Sequence, residues 1–221
     1  MVDATSPFIL TVGLMLGLEH AFDVDHVVAV TNLLCNVKSF KKSLFLGTMW
    51  GLGHAATLFI AGVIVLALRV MIPEGFARLF TIIAGALLIV LGVLVLKDVI
   101  VKRTFSSSQS MQPGIVNPQL KVAEGSHAHK SLFSGVLQGL AGSAALMLVT
   151  LSTIGSPVLG IIFIGLFGLG VILGMLSCSA LIGGFLALTS MRIGKVHEII
   201  KAVTGCTGVG FGIYIILTTI L

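Results

Sequence analysis

The feature that most constrains the fold is the stretch between Lys130 and Arg192, which contains no acidic or basic residue. Because a helix of about 20 apolar residues crosses a bilayer, this stretch is long enough for two crossings. The segment 152–157 (STIGSP) is the predicted turn between them, since glycine and proline interrupt helices. Hydrophobic residues make up 57% of the chain and charged residues 10%, and the mean hydropathy is +1.16. These values exclude a soluble domain and are typical of an integral membrane protein.

Further apolar runs on both sides of this stretch raise the predicted number of membrane spans to six. We place the spans at 8–34, 44–68, 79–97, 132–153, 158–190 and 199–220. The fifth span is longer than a bilayer requires, which predicts a tilted or broken helix. The expected fold class is therefore an all-α integral membrane protein with six transmembrane helices.

The basic residues predict how the chain lies in the membrane. The chain has 13 Lys and Arg residues, and all except Arg69 and Arg78 follow spans one, three and five or lie at the edge of span six. Cytoplasmic loops carry an excess of Lys and Arg, so the loops 35–43, 98–131 and 191–198 should be cytoplasmic. The chain should then be a multi-pass protein of the plasma membrane, with both termini on the outer side of the cell. The net charge of +5 reflects this orientation and does not indicate a nucleic-acid partner.

The six spans divide into two related halves. Gly85 and Gly92 are seven residues apart in span three, and Gly205 and Gly212 have the same spacing in span six. Three spans per half make the halves antiparallel, which is the inverted-repeat plan of many secondary transporters. The predicted division is a first half, a flexible cytoplasmic linker and a second half: 1–101, 102–131 and 132–221.

Ionisable residues inside span one carry the functional prediction. The segment 17–26 (GLEHAFDVDH) places five of them near mid-bilayer: Glu19, His20, Asp23, Asp25 and His26. Each charged side chain costs about 2.5–3.5 kcal/mol at a helix centre, so a passive anchor would not retain such a group. His54 of span two lies at a similar depth, because both spans are centred on these residues.

The spacing and the residue types indicate a metal site. His20, Asp23 and His26 follow one another at three-residue steps and share a helix face, whereas Asp25 points elsewhere in a regular helix. Either Asp25 has a separate role or span one is locally unwound. Imidazole and carboxylate ligands suit Ni²⁺, Co²⁺, Zn²⁺, Fe²⁺ or Mn²⁺. Ligands must lose their protons to bind, which makes Glu19 or Asp25 a candidate proton carrier.

Alternatives remain for these histidines. The intramembrane group could be a structural hydrogen-bond network between spans one and two, or a proton relay without metal. His127 and His129 in the linker (SHAH) could capture metal at the cytoplasmic mouth, or they could belong to a solvated linker.

Two motifs resemble the leading motifs of the nickel/cobalt permease family. HAFDVDH in span one is similar to its H-x4-D-H helix, with His20, Asp25 and His26 at the hallmark positions and Asp23 at its first Asp. GLGHAAT in span two is similar to its L-G-H-S motif, with His54 at the histidine. The resemblance implies uptake or efflux of Ni²⁺ or Co²⁺ as substrate, with no permanent cofactor.

Other features resemble shorter relatives of those permeases. Glu19 stands where the permeases have Arg, Ala55 replaces Ser, and their later acidic motif and two further spans are missing. The chain is closer to six-span, UreH-like membrane proteins of the lysine-exporter-like superfamily. Their similarity extends to QGLAGSAA at 138–145, which implies that Gln138 and Ser143 complete the site from the second half.

The predicted function is alternating-access transport of a divalent metal ion, with the lipid bilayer and the ion as partners. A second hypothesis is an accessory protein that hands metal to a cytosolic metalloenzyme; a second copy of the chain is another candidate partner. A third is a thiol–disulfide electron carrier of the cytochrome c biogenesis type, which needs a reactive Cys in the first span of each half. Span four has none. The motifs of hydrolytic enzymes are missing, so we predict no enzyme.

Overall fold

The computed structural model describes residues 5–37, 39–68, 73–108, 124–139, 141, 154, 156–192 and 194–221, and the regular secondary structure among them is α-helix. The helices are α1 (Thr5–His20), α2 (Val24–Leu34), α3 (Phe40–Leu68), α4 (Glu74–Ser108), α5 (Glu124–Gln138), α6 (Pro157–Arg192) and α7 (Gly194–Ile220). Pro157 opens α6, where its fixed φ and missing N–H suit a first helical position.

Four of these helices, α3, α4, α6 and α7, are long and apolar enough to cross a membrane. The pair α1–α2 meets the same criteria if it is taken as one span, bent by 53° at its break. This confirms an all-helical membrane protein. Of the predicted span 132–153, the described part is helical only to Gln138, and most of the remainder lies outside the described residues. Six spans therefore stay a prediction.

The helices extend further than hydropathy predicts, and the loops are correspondingly shorter. Helix α4 continues to Ser108 and α5 begins at Glu124, so much of the predicted loop 98–131 is helical. Similarly, α3 begins at Phe40, and α6 and α7 together occupy the predicted loop 191–198 apart from residue 193. Hydropathy marks only the apolar part of a helix, whereas the backbone hydrogen bonds continue into its polar ends. Helix α6 is continuous over 36 residues, so the predicted break is not found there.

Glycines bring the helices into close contact on both sides of the central pair α3–α6. A Cβ on Gly17 of α1 would overlap the carbonyl group of Phe167 in α6. In the same way, a Cβ on Gly135 of α5 would overlap the carbonyl group of Trp50 in α3. Small residues allow such backbone approach in membranes, where helix association depends on close packing.

A second glycine crossing joins α4 to α7. A Cβ on Gly92 would lie 2.6 Å from the Gly205 carbonyl oxygen, and one on Gly212 would lie 2.5 Å from the Gly85 carbonyl oxygen. The four glycines that the sequence pairs by spacing therefore meet at one interface. Helix α2 lies beside this crossing, and its Val28 and Ala29 pack against Leu88 of α4 in a small buried cluster separate from the main core.

Candidate metal centre

The site is built on a break in the first span. Helix α1 ends at His20 and α2 starts at Val24, and the Asp23 amide donates to the His20 carbonyl oxygen at 3.1 Å. The ring Nδ1 of His26 bonds the same carbonyl oxygen at 2.9 Å. A carbonyl group released by the break thus gains a partner from the next helix, as the apolar environment requires. Span one is therefore locally unwound in the structure, which is one of the two explanations that the sequence offered for the position of Asp25.

Three imidazole rings from two spans meet at this break. The Nε2 atoms of His20 and His54 lie 3.0 Å apart, and the ring centroid of His26 lies 4.6 Å from that of His20 and 4.8 Å from that of His54. All three side chains are buried. One potential ligand atom from each ring falls within 4.8 Å of the others, so the trio could hold one ion.

Hydrogen bonds at the opposite ring atoms orient two of these imidazoles. Nδ1 of His20 lies 2.9 Å from Oδ2 of Asp23, and Nδ1 of His26 donates to a carbonyl oxygen. Both bonds favour the tautomer that carries its proton on Nδ1 and leaves the Nε2 lone pair available. Nε2 of His26 has no hydrogen-bond partner and lies 3.6 Å from Oδ2 of Asp25. Asp23 therefore orients His20, a role the sequence analysis did not assign to it.

A second potential ligand group shares His26 and faces a cavity. Asp23, Asp25 and His26 offer ligand atoms within 4.8 Å of one another, and the two carboxylate side chains are 39% and 20% exposed. Both line a cavity of about 310 Å³ between the break and the α4–α7 pair. Its other lining residues are Val24, Thr81, Ala84, Ala141, Phe211 and Ile215. The buried imidazoles are thus connected to a cavity through two carboxylates.

Aromatic side chains bracket the imidazoles. The Trp50 indole stacks on His54 with ring centroids 4.9 Å apart and a 19° interplanar angle, and Phe167 lies 5.5 Å from the His20 ring. Sequence reasoning missed both residues. Trp50 precedes His54 by one helical turn, and this spacing could have indicated a contact between the two rings. Phe167 lies in an apolar helix whose sequence does not mark the side that faces His20.

The remaining predicted site residues fall into three groups. Glu19 is exposed and belongs to neither of the two ligand groups found among the described residues. Gln138 is fully buried at the end of α5, and neither atom of its amide has a hydrogen-bond partner. His129 is exposed on α5; Ser143 and the side chain of His127 lie outside the described part of the chain.

Comparison with known proteins identifies the family. Over 206 residues, the chain is 34% identical to the urease accessory protein UreH of Bacillus sp. (strain TB-90), covering 93% of this chain and 89% of that protein. The chain belongs to the UreH family. This confirms the predicted relationship to UreH-like membrane proteins, and the relative is named an accessory protein.

More distant similarity extends beyond bacteria. The chain is 23% identical to the chloroplast proteins FOR GROWTH AND FERTILITY 2 and 1 of Arabidopsis thaliana, over 88% and 93% of its length. It spans only 52% and 58% of those two proteins. No family model and no solved structure matches the chain.

Proposed function

We propose that this UreH family member is a secondary transporter of divalent transition metal ions, with Ni²⁺ or Co²⁺ as substrate. The observation that carries the proposal is the convergence of His20, His26 and His54 at a break in a membrane-spanning helix pair. Three buried imidazoles beside carboxylates form a donor set for a borderline metal ion. Broken helices at mid-membrane are where secondary transporters bind their substrates.

The Nε2 atoms of His20 and His54 lie 3.0 Å apart, which is close enough for one ion to bind both nitrogens. Imidazole and carboxylate ligands suit Ni²⁺ and Co²⁺, the substrates that the motif resemblance implies. Nε2 of His26 and an oxygen of Asp25 are the next ligands in reach.

The glycine contacts support two inverted three-helix repeats. Gly17 of α1 meets the Phe167 carbonyl group, and Gly135 of α5 meets the Trp50 carbonyl group in the same manner. The reciprocal contacts match as well, since Gly170 meets the Leu14 carbonyl oxygen and Gly53 meets that of Leu132. We infer that a pseudo-two-fold axis through the α3–α6 and α4–α7 pairs relates each contact to its counterpart.

This axis pairs His20 with Gln138. Each follows its packing glycine, Gly17 or Gly135, by three residues, and each is the last residue of its helix. The Asp23 amide bonds the His20 carbonyl oxygen at 3.1 Å, and the Ala141 amide bonds the Gln138 carbonyl oxygen at 3.1 Å. We therefore assign to the unpartnered Gln138 amide a role at the site from the second half, with Ser143 as a further candidate.

The orientation follows from the basic residues, with both termini outside the plasma membrane. The cavity beside Asp23 and Asp25 then lies on the outer side of the imidazoles. Asp25 lines this cavity while Glu19 is exposed elsewhere, which favours Asp25 as the proton carrier.

The name of the bacterial relative favours a second function, that of an accessory protein. Such a protein would bind metal and pass it to a metalloenzyme, with or without net flux across the membrane. An electron carrier finds less support, since the predicted span 132–153 contains no cysteine that could react with Cys35.

Purified protein tests the site and the function separately. Calorimetry with Ni²⁺, Co²⁺, Zn²⁺ and Mn²⁺ measures binding, and a metal-sensitive dye inside proteoliposomes measures flux. A His26→Gln/His54→Gln variant should lose affinity by on the order of a hundredfold, because even the loss of an outer-shell partner costs 10–100-fold. A His127→Gln/His129→Gln variant should bind like the wild type. Loss of binding in the second variant alone would move the site to α5, and binding without flux would contradict transport and favour the accessory function.

A further inference from the structure

One face of α2 carries polar residues from the cavity at its N-terminal end to the turn that follows its C-terminal end. Asp25, Asn32 and Asn36 recur at seven- and four-residue spacing, so they lie along one side of this helix and just past its end. Between them, Val28 and Ala29 are buried against α4. This contact borders the cavity, since the same cluster includes the cavity residues Phe211 and Ile215.

Asn32 lies about one helical turn after Val28 and Ala29 and carries a buried polar atom without a hydrogen-bond partner. The side chain is only 4% exposed; its Nδ2 donates to the Val28 carbonyl oxygen at 2.9 Å, and its Oδ1 has no hydrogen-bond partner. Buried polar atoms without a partner are uncommon in folded proteins. The amide also lies against the α4–α7 crossing, because a Cβ on Gly208 would lie 2.6 Å from Nδ2 and 3.2 Å from the Cα of Gly92.

A polar contact follows at the end of the same face. Nδ2 of Asn36 donates to Oδ2 of Asp98 at 2.8 Å and joins the end of α2 to α4. Both residues are exposed. This end of the helices also carries Lys41, Lys42 and Lys97, and we call it the basic end.

We propose that a divalent cation leaving the imidazole cluster passes between α2 and the α4–α7 pair, with the Asn32 Oδ1 as its next ligand and the Asp98 carboxylate as a ligand at the basic end. The proposal rests on the proposed transport function. Oxygen ligands follow one another along this face and at its end: the Asp25 carboxylate and the Asn32 amide on α2, then the Asp98 carboxylate on α4. An ion could move from one to the next when α2 separates from the glycine crossing.

An oxygen ligand between the imidazole cluster and the basic end suits transit. Conduction requires sites that bind strongly enough to admit an ion and weakly enough to release it. The Asn32 amide packs tightly against the glycine crossing at Gly208, so an ion reaches its Oδ1 only when α2 moves away from that crossing.

The experiment compares Asn32→Leu with Asn32→Asp. Leucine keeps the volume and removes the oxygen, whereas aspartate keeps an oxygen at the same position. Thr31→Val is the matched control, because it removes a neighbouring polar group whose hydroxyl bonds its own helix at the Val27 carbonyl oxygen. For each purified variant, Ni²⁺ affinity is measured by calorimetry and Ni²⁺ flux by dye in proteoliposomes.

We expect Asn32→Leu to bind Ni²⁺ with wild-type affinity and to lose flux by on the order of tenfold, the effect of one lost interaction with a charge. Asn32→Asp should retain flux within about threefold of the wild type, and Thr31→Val should match it. Wild-type flux in Asn32→Leu would overturn the proposal. So would equal losses in the leucine and aspartate variants, or a parallel loss of binding and flux, since these indicate a purely structural residue. Failure of the wild-type protein to bind or move Ni²⁺ would instead refute the proposed function.

Discussion

At the scale of single residues, the two carboxylates of the break have different environments and therefore different expected roles. Asp23 bonds Nδ1 of His20 at 2.9 Å, whereas Asp25 lies 3.6 Å from the unpartnered Nε2 of His26. Asp23→Asn should therefore weaken Ni²⁺ binding by roughly 10–100-fold, the usual effect of losing the partner that orients a ligand. Calorimetry beside His20→Gln checks this. If Asp23→Asn loses binding as completely as His20→Gln does, Asp23 is itself a ligand.

Trp50 allows a second test at this scale. Its ring stacks on His54, while its Nε1 has no hydrogen-bond partner in the structure. Trp50→Phe should preserve Ni²⁺ affinity to within about threefold, because the ring contact remains and the removed group is unpaired. Trp50→Ala should weaken binding and lower the melting temperature, since a buried aromatic residue is lost. Equal affinity in both variants would show that the stack does not position His54.

These residues also show how far sequence reasoning reaches. The depth of His20, His26 and His54 in their spans was sufficient to predict their convergence, because a bilayer fixes how far along each helix a residue lies. The pairing of Asp23 with His20 was not predicted, since it depends on the angle of the break. Phe167 was missed because nothing in an apolar helix distinguishes the side that faces the imidazoles.

At the scale of helices, the α1–α6 contact depends on Gly17. A Cβ at this position would overlap the Phe167 carbonyl group, which belongs to the backbone and cannot rotate away. Gly17→Ala should therefore destabilise the protein by about 1–3 kcal/mol, as overpacking does. Gly165 of α6 is the matched control, because a Cβ there meets no atom within 4 Å. Thermal unfolding in detergent should show a lower melting temperature for Gly17→Ala only; equal melting temperatures would contradict this packing.

Hydropathy located the long helices well and their ends poorly. Helix α4 extends from Glu74 to Ser108, whereas its predicted span covers 79–97, because its ends carry polar residues that remain helical outside the apolar core. One sequence feature indicated the break after His20, namely that Asp25 does not share the helix face of His20, Asp23 and His26. A bend of 53° is a three-dimensional consequence that residue spacing alone does not give.

At the scale of the whole molecule, transport requires the cavity and the basic end to open in turn. The structure has the cavity open beside Asp25 and the basic end joined by the 2.8 Å bond between Asn36 and Asp98. Fixing that contact should hold the protein in this state. The affinity of the imidazole cluster should persist, because neither Asn36 nor Asp98 belongs to the group of residues that could hold the ion.

A cross-link tests this directly. In a Cys206→Ser background, which removes the one exposed thiol among the three cysteines, Asn36→Cys/Asp98→Cys is treated with a short, reducible bifunctional thiol reagent. Ni²⁺ flux into proteoliposomes should fall by at least about tenfold and recover after reduction, while Ni²⁺ affinity in detergent stays unchanged. For each single cysteine variant, the flux before and after the same treatment should be equal, whatever its level relative to the wild type, because Asp98→Cys also removes a proposed ligand. Undiminished flux in the cross-linked protein would show that α2 and α4 need not separate, and the ion path would then have to lie elsewhere in the helix bundle.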